Sequence, residues 1–178
     1  MENLYKATLI LNNSISDREQ ENADLKQEHS DLEQENSELK QKLYASYKSM
    51  GKSFQAKGQS AFALDYYKKS MHMMETLAKA EPQRSDFKRD LSVSYDTVGY
   101  LYEDQGQSQL ALEYFHKSMI IREDLVKAYP QQSDYEGELS FSYNNLGQIY
   151  EALGQRTQAS EYFQKFMQTG RLWWRPSQ

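Results

Sequence analysis

Three histidines, His29, His72 and His116, are the side chains best suited to move a proton or hold a metal near neutral pH. Neither His72 nor His116 is set with carboxylates in the spacing of a metal site or a catalytic triad, and no glycine-rich phosphate loop is present. The adjacent acids Glu103 and Asp104 could in principle share a proton, but they fall at a solvated helix end. The sequence has no Cys, which excludes disulfides, thiolate metal sites and cysteine nucleophiles. The residues therefore predict no catalytic site, no metal and no cofactor. Their polar groups must be read through the elements that carry them.

Those elements are helices. Only 8 Gly and 3 Pro punctuate 178 residues rich in Glu, Lys, Gln, Leu and Ala, so an all-α protein is expected. A mean hydropathy of -0.92 with 26% charged residues leaves too little apolar material for two ordinary cores, so part of the chain must be extended and solvated. Residues 1–44 hold 10 acidic and 5 basic residues and residues 45–178 hold 16 of each, so the whole net charge of -5 lies in an N-terminal arm. A neutral body lacks the basic face that nucleic acid requires. The apolar run Ala7–Leu11 is too short for a membrane span and has no cleavage site after it, so a cytoplasmic protein is expected.

In the arm, leucines recur every seven residues. With Leu25 at d, Leu4, Leu11, Leu32 and Leu39 are also d positions, interrupted at Arg18, and the a positions are Ile15, Asn22, His29, Asn36, Leu43 and Met50. Such a seam faces a partner only if helices supercoil, and Asn at a fixes register in a parallel pair. In that pair Glu21 meets Lys26 and Glu35 meets Lys40, while Glu28 against Glu33 is repulsive. A homodimer through residues 15–46 is expected, ahead of the alternative in which the arm folds back on its own body. Ser16 and Glu19 form a capping box that predicts a helix start near Ile15 and a separate short segment over residues 1–14. His29 reads first as a tolerated polar interruption, and second as a group whose charging would loosen the arm in mild acid.

The body repeats itself. SVSYDTVGYLYEDQGQ at 92–107 returns as SFSYNNLGQIYEALGQ at 140–155, a shift of 48 residues, and the same shift back reaches YASYKSMGKSFQAKGQ at 44–59. ALDYYKKSM, ALEYFHKSM and ASEYFQKFM follow at the same interval. Three copies, 44–91, 92–139 and 140–169, imply stacked helix pairs. Tyr95, Val98, Gly99 and Tyr102 lie on one face of a first helix that Gly106 ends, and Ala111, Phe115, Ser118 and Leu125 continue on a second. Mid-helix Gly51, Gly99 and Gly147 cost about 1 kcal/mol each relative to Ala, which requires a close approach, expected from Tyr67, Phe115 and Phe163. Met50 is expected to serve both the zipper and the core of the first repeat, so that arm and repeat form one continuous helix that fixes each groove relative to its twin.

These residues resemble the tetratricopeptide repeats. Tyr143, Leu146, Gly147, Tyr150, Gly154, Ala159 and Phe163 carry the pattern in the third copy, and the resemblance spans residues 44 to about 169. The second helices run on to Pro82 and Pro130, and with the NNLGQIYEALGQ phrase and the preceding heptads they are more similar to the kinesin-light-chain subtype, although three repeats of 48 residues depart from it. The resemblance implies a right-handed α-solenoid and a groove, lined by the first helices, that holds peptides of partner proteins. Assigned to it are Lys48, Lys52 and Gln55; then Val93, Asp96, Tyr100 and Glu103; then Phe141, Asn144, Asn145, Gln148 and Glu151. Running from basic to acidic over an apolar middle, it suits a peptide with hydrophobic anchors and an acidic end near Lys48 and Lys52. Phe141 and Asn145 stand where the chaperone-tail clamp of some relatives has basic residues, so that ligand is not expected.

Residues 170–178, TGRLWWRPSQ with the Thr before them, offer Leu172, Trp173 and Trp174 either as a cap packed on the last repeat or as a partner contact, the cap being preferred. A piece of a longer array would look the same. The expected function is a non-catalytic adaptor, a coiled-coil dimer displaying two grooves; the alternative is a self-assembling spacer whose repeats stack between chains.

Overall fold

Each first helix of the body stops at a glycine that the backbone requires. Gly106 has φ 71°, a left-handed conformation that side chains with a Cβ disfavour. That turn lets the Gln107 N–H reach the Tyr102 carbonyl at 2.8 Å and the Gly106 N–H reach the Glu103 carbonyl at 2.8 Å, the paired bonds of a Schellman motif. The same bonds form at Gly58 and Gly154, so all three turns have one geometry. Second helices end differently: two residues before Pro82 and Pro130, because a proline disfavours helical geometry in the residue ahead of it.

The computed structural model describes residues 1–173, the side chains of Leu4 and of residues 171–173 excepted. Six helices follow one another: α1 Glu2–Ala56, α2 Ser60–Ala80, α3 Ser85–Asp104, α4 Ser108–Ala128, α5 Ser133–Ala152 and α6 Arg156–Trp173. No strand occurs among the described residues. The chain divides into two units, Met1–Lys40 and Gln41–Gln178.

The first unit is helical throughout from Glu2, so the helix starts well ahead of the expected capping box and Ser16 and Glu19 lie inside it. The residues ahead of Ser16 contain neither Gly nor Pro, and a capping signal inside such a run does not by itself break it. Its heptads are visible in side-chain bonds: Gln20 donates to Asp24 at 2.9 Å, Gln27 to Asp31 at 2.8 Å and Gln34 to Glu38 at 3.3 Å, one bond per seven residues. The leucine row lies elsewhere on the helix and is exposed, with Leu25, Leu32 and Leu39 each more than half accessible.

In the second unit, α3 packs on α4 and α5 on α6 within repeats, while α2 packs on α3 and α4 on α5 between them. The end of α1 joins α2 through Tyr67 Oη donating to Gln55 Oε1 at 3.0 Å and Ser70 Oγ donating to the Tyr44 carbonyl. The glycine expectation holds. An added Cβ at Gly51, Gly99 or Gly147 would come within 2.9 Å of Tyr67, 2.8 Å of Phe115 or 2.6 Å of Phe163. Ala63, Ala111 and Ala159 are buried beside these contacts. Met50 differs from expectation. Its equivalents Val98 and Leu146 are 0% exposed, whereas Met50 is 43% exposed, because α2 and α4 cover α3 and α5 and no described helix covers α1 on that side.

Candidate functional site

The face formed by residues 41–56 of α1 with α3 and α5 carries the groove residues. Its apolar middle is accessible: Phe141 is 66% and Tyr100 45% exposed, with Val93 half-buried beside them. Tyr100 is held in place, since its hydroxyl donates to Asn145 Oδ1 at 2.8 Å and its ring meets Phe115 edge-on at 5.1 Å. Tyr100 thus links the second and third copies. Burial raises its pKa, chiefly by desolvating the phenolate, so it acts as a hydrogen-bond donor at neutral pH.

At the basic end Lys52 is exposed and Lys48 is half-buried, with Nζ donating to Tyr44 Oη at 3.0 Å. Gln55 is engaged by Tyr67, leaving its amide nitrogen for other partners. At the acidic end Gln148 and Glu151 are exposed and Asn144 is half-buried. The Glu103 carboxyl is pushed above its usual range, first by burial and then by the neighbouring Asp104 charge.

Asp96 and Asn145, assigned to the groove surface, are instead buried. Asp96 Oδ2 pairs with Arg122 Nη2 at 2.7 Å, and Arg122 Nη1 donates to Ser142 Oγ at 2.6 Å, so one guanidinium from α4 joins α3 and α5. Desolvation still outweighs the arginine and raises the Asp96 pKa. Sequence reasoning missed Arg122. The available signal was its register, because the equivalent residues in the other copies are Met74 and Gly170, and a charge at a core position of one copy alone requires a local partner.

Two further contacts recur at the 48-residue interval and were also not foreseen. Tyr95 Oη donates to Glu75 Oε1 at 2.7 Å and Tyr143 Oη to Glu123 Oε1 at 3.0 Å. Lys68 Nζ donates to Tyr102 Oη at 3.3 Å, and His116 Nε2 lies 2.9 Å from Tyr150 Oη. All join a second helix to the first helix of the next copy. Among the described residues no group of three or more His, Asp or Glu side chains is placed to hold a metal. No described helix is long and apolar enough to cross a membrane. α6 continues through Gly170 to Trp173, while the packing expected of Leu172, Trp173 and Trp174 lies outside the described side chains.

Helix pairs stacked at a fixed interval, with first helices gathered on one accessible face, define an α-solenoid of the protein-interaction class. The particular family follows from sequence: residues 91–128 and 142–168 each match a tetratricopeptide-repeat family model, and the chain is a tetratricopeptide-repeat protein. Repeats of this family bind protein or peptide partners, so the coarse function is that of an interaction scaffold. No curated protein matches the chain.

Solved structures similar to it include BtubC (BKLC) from P. vanneervenii, at 17% identity and TM-score 0.60, covering 76% of this chain and 50% of that one. The chain thus spans half the length of that relative. The TPR domain of Arabidopsis FLU is similar at 18% identity and TM-score 0.53, covering 75% of this chain and 97% of that domain. A putative kinesin light chain with nearly identical TPR-like repeats from Podosopora anserina is also found, at 18% identity, TM-score 0.34, and coverage of 72% and 78%. At these identities the likeness is one of fold.

Proposed function

We propose that the chain is a non-catalytic adaptor that dimerises through residues 15–46 and presents two grooves to peptide segments of partner proteins. The observation that carries this reading is the accessible pair Phe141 and Tyr100 on the first-helix face, with Lys48 and Lys52 at one end and Glu151 at the other. An aromatic anchor site flanked by opposite charges selects an extended or helical peptide by its apolar residues and orients it by charge.

The dimer segment comprises Ile15, Asn22, Leu25, His29, Leu32, Asn36, Leu39 and Leu43. Its support is the exposed leucine row opposite a face already engaged in Gln-to-acid bonds. Two weak grooves on one dimer gain effective concentration toward a bivalent or polymeric partner.

Affinity capture with the wild type and with a Lys52→Glu, Tyr100→Ala variant tests the groove. Partners lost by the variant support it, and partners retained equally by both remove the groove from the function. Light scattering across concentration tests the assembly, since a fixed dimer agrees with the adaptor and open-ended growth favours a spacer.

A further inference from the structure

The side of the first repeat left open at Leu43 and Met50 has two filled counterparts within the same molecule. Leu43 is 40% and Met50 43% exposed, against 8% and 0% for Leu91 and Val98 under α2, and 6% and 0% for Leu139 and Leu146 under α4. Tyr47 and Phe54 complete the row at the positions of Tyr95 and Tyr102 and are half-buried. Phe54 stacks on Tyr66 at 5.2 Å as Tyr102 stacks on Tyr114 at 5.6 Å, so the open face has the local shape of the filled ones.

We propose that this side of the first repeat is a docking surface for one amphipathic helix of another protein, laid antiparallel to α1 as α2 lies on α3. The two internal interfaces specify the chemistry of that helix. Lys68 reaches Tyr102 while Glu75, further along α2, reaches Tyr95, earlier on α3, which makes the covering helix antiparallel. Along the covering stripe the two copies read Leu64, Met71, Glu75 and Leu112, Met119, Glu123. Residues at these spacings share one helix face.

The occupant therefore carries Leu, then Met or Leu seven positions on to meet Met50, then Glu four positions further to accept the Tyr47 hydroxyl. Where Lys68 and His116 meet a tyrosine hydroxyl, the first repeat has Phe54, so an apolar residue is required there instead.

A second copy of this chain fits poorly. The matching stripe of α6 reads Ser160, Gln164, Met167 and Arg171, with neither the leucine nor the carboxylate. A continued coiled coil fits no better, because its d positions beyond Leu39 are Ser46 and Ser53 and the apolar row has moved to Leu43, Tyr47, Met50 and Phe54. The surface is separate from the proposed peptide groove.

The probe is a labelled peptide of the α2 sequence, residues 60–80, carrying Lys68→Leu, titrated into the full chain and followed by fluorescence anisotropy. Saturable binding is expected, weakened about tenfold or more by Met50→Glu in the chain and unchanged by Tyr100→Ala. Tyr47→Phe in the chain and Glu75→Gln in the peptide should each weaken it a few-fold, with little further loss in combination, because they break one bond. This cycle reports on the site even if Met50→Glu disturbs folding. Absence of saturable binding, binding indifferent to both Met50→Glu and Tyr47→Phe, or loss through Tyr100→Ala overturns the proposal. So does a wild-type dimer that Met50→Glu turns into a monomer, since a second copy would then be the occupant.

Discussion

A side-chain carbon added at Gly99 would come within 2.8 Å of the Phe115 ring, and Phe115 is 1% exposed, so the ring has nowhere to move. Helix propensity alone would make Gly99→Ala stabilising by about 1 kcal/mol. Overpacking opposes it by about 1–3 kcal/mol and should win, giving a lower thermal midpoint. Phe115→Leu removes the obstruction, so Gly99→Ala made in that background should be neutral or stabilising. Gly147→Ala faces a nearer ring at 2.6 Å, but Phe163 is only half-buried and can turn aside, so its cost should be smaller. Thermal melts of the four variants check the order.

Arg122→Met restores the residue type of the first copy, yet it should cost about 3–5 kcal/mol by leaving the buried Asp96 carboxylate unpaired. Adding Asp96→Asn removes the orphaned charge and should recover most of the loss. Urea denaturation of both single variants and the double variant gives the coupling directly, and additive losses would contradict the pairing.

His116 lies beside Tyr150 and Tyr162 with Lys165 nearby, and burial, then the Lys165 charge, holds its pKa below the ordinary 6.5. The unfolded chain therefore binds the proton more readily than the folded one. Stability from this site is complete above about pH 6.5 and is lost as the pH falls below it toward the depressed folded value. His116→Gln keeps a polar group for Tyr150 and does not titrate, so its thermal midpoint should fall less between pH 7.5 and 5.5 than that of the wild type.

Leu25 and Leu32 are each more than half exposed on the arm, so a charge there costs the isolated helix little. In a paired coiled coil it would be buried at the seam. Leu25→Glu with Leu32→Glu should therefore halve the mass measured by light scattering while leaving the melting of the repeats unchanged. An unchanged mass would place the dimer contact outside the arm.

The repeats were legible because their signals are local and occur in triplicate. A glycine that must adopt positive φ, an aromatic that must meet a bare backbone, and a proline that must follow a helix end each depend on neighbours within about one helix pair. Returning every 48 residues, they identify the unit without knowledge of the rest. The leucine row of the arm was legible for the same reason, as a period along one helix.

What the sequence could not supply was which equivalent positions have a neighbour. Met50, Val98 and Leu146 occupy one register, and only the order of stacking leaves the first of them open. Asp96 and Lys48 are likewise equivalent, but Asp96 is drawn inward because Arg122 reaches it from another helix, and it is Tyr100 that meets Asn145 across 45 residues. Local periodicity fixes which face of each helix is apolar. Burial of a given side chain and its hydrogen-bond partner depend on contacts between helices distant in sequence, which only the assembled tertiary structure decides.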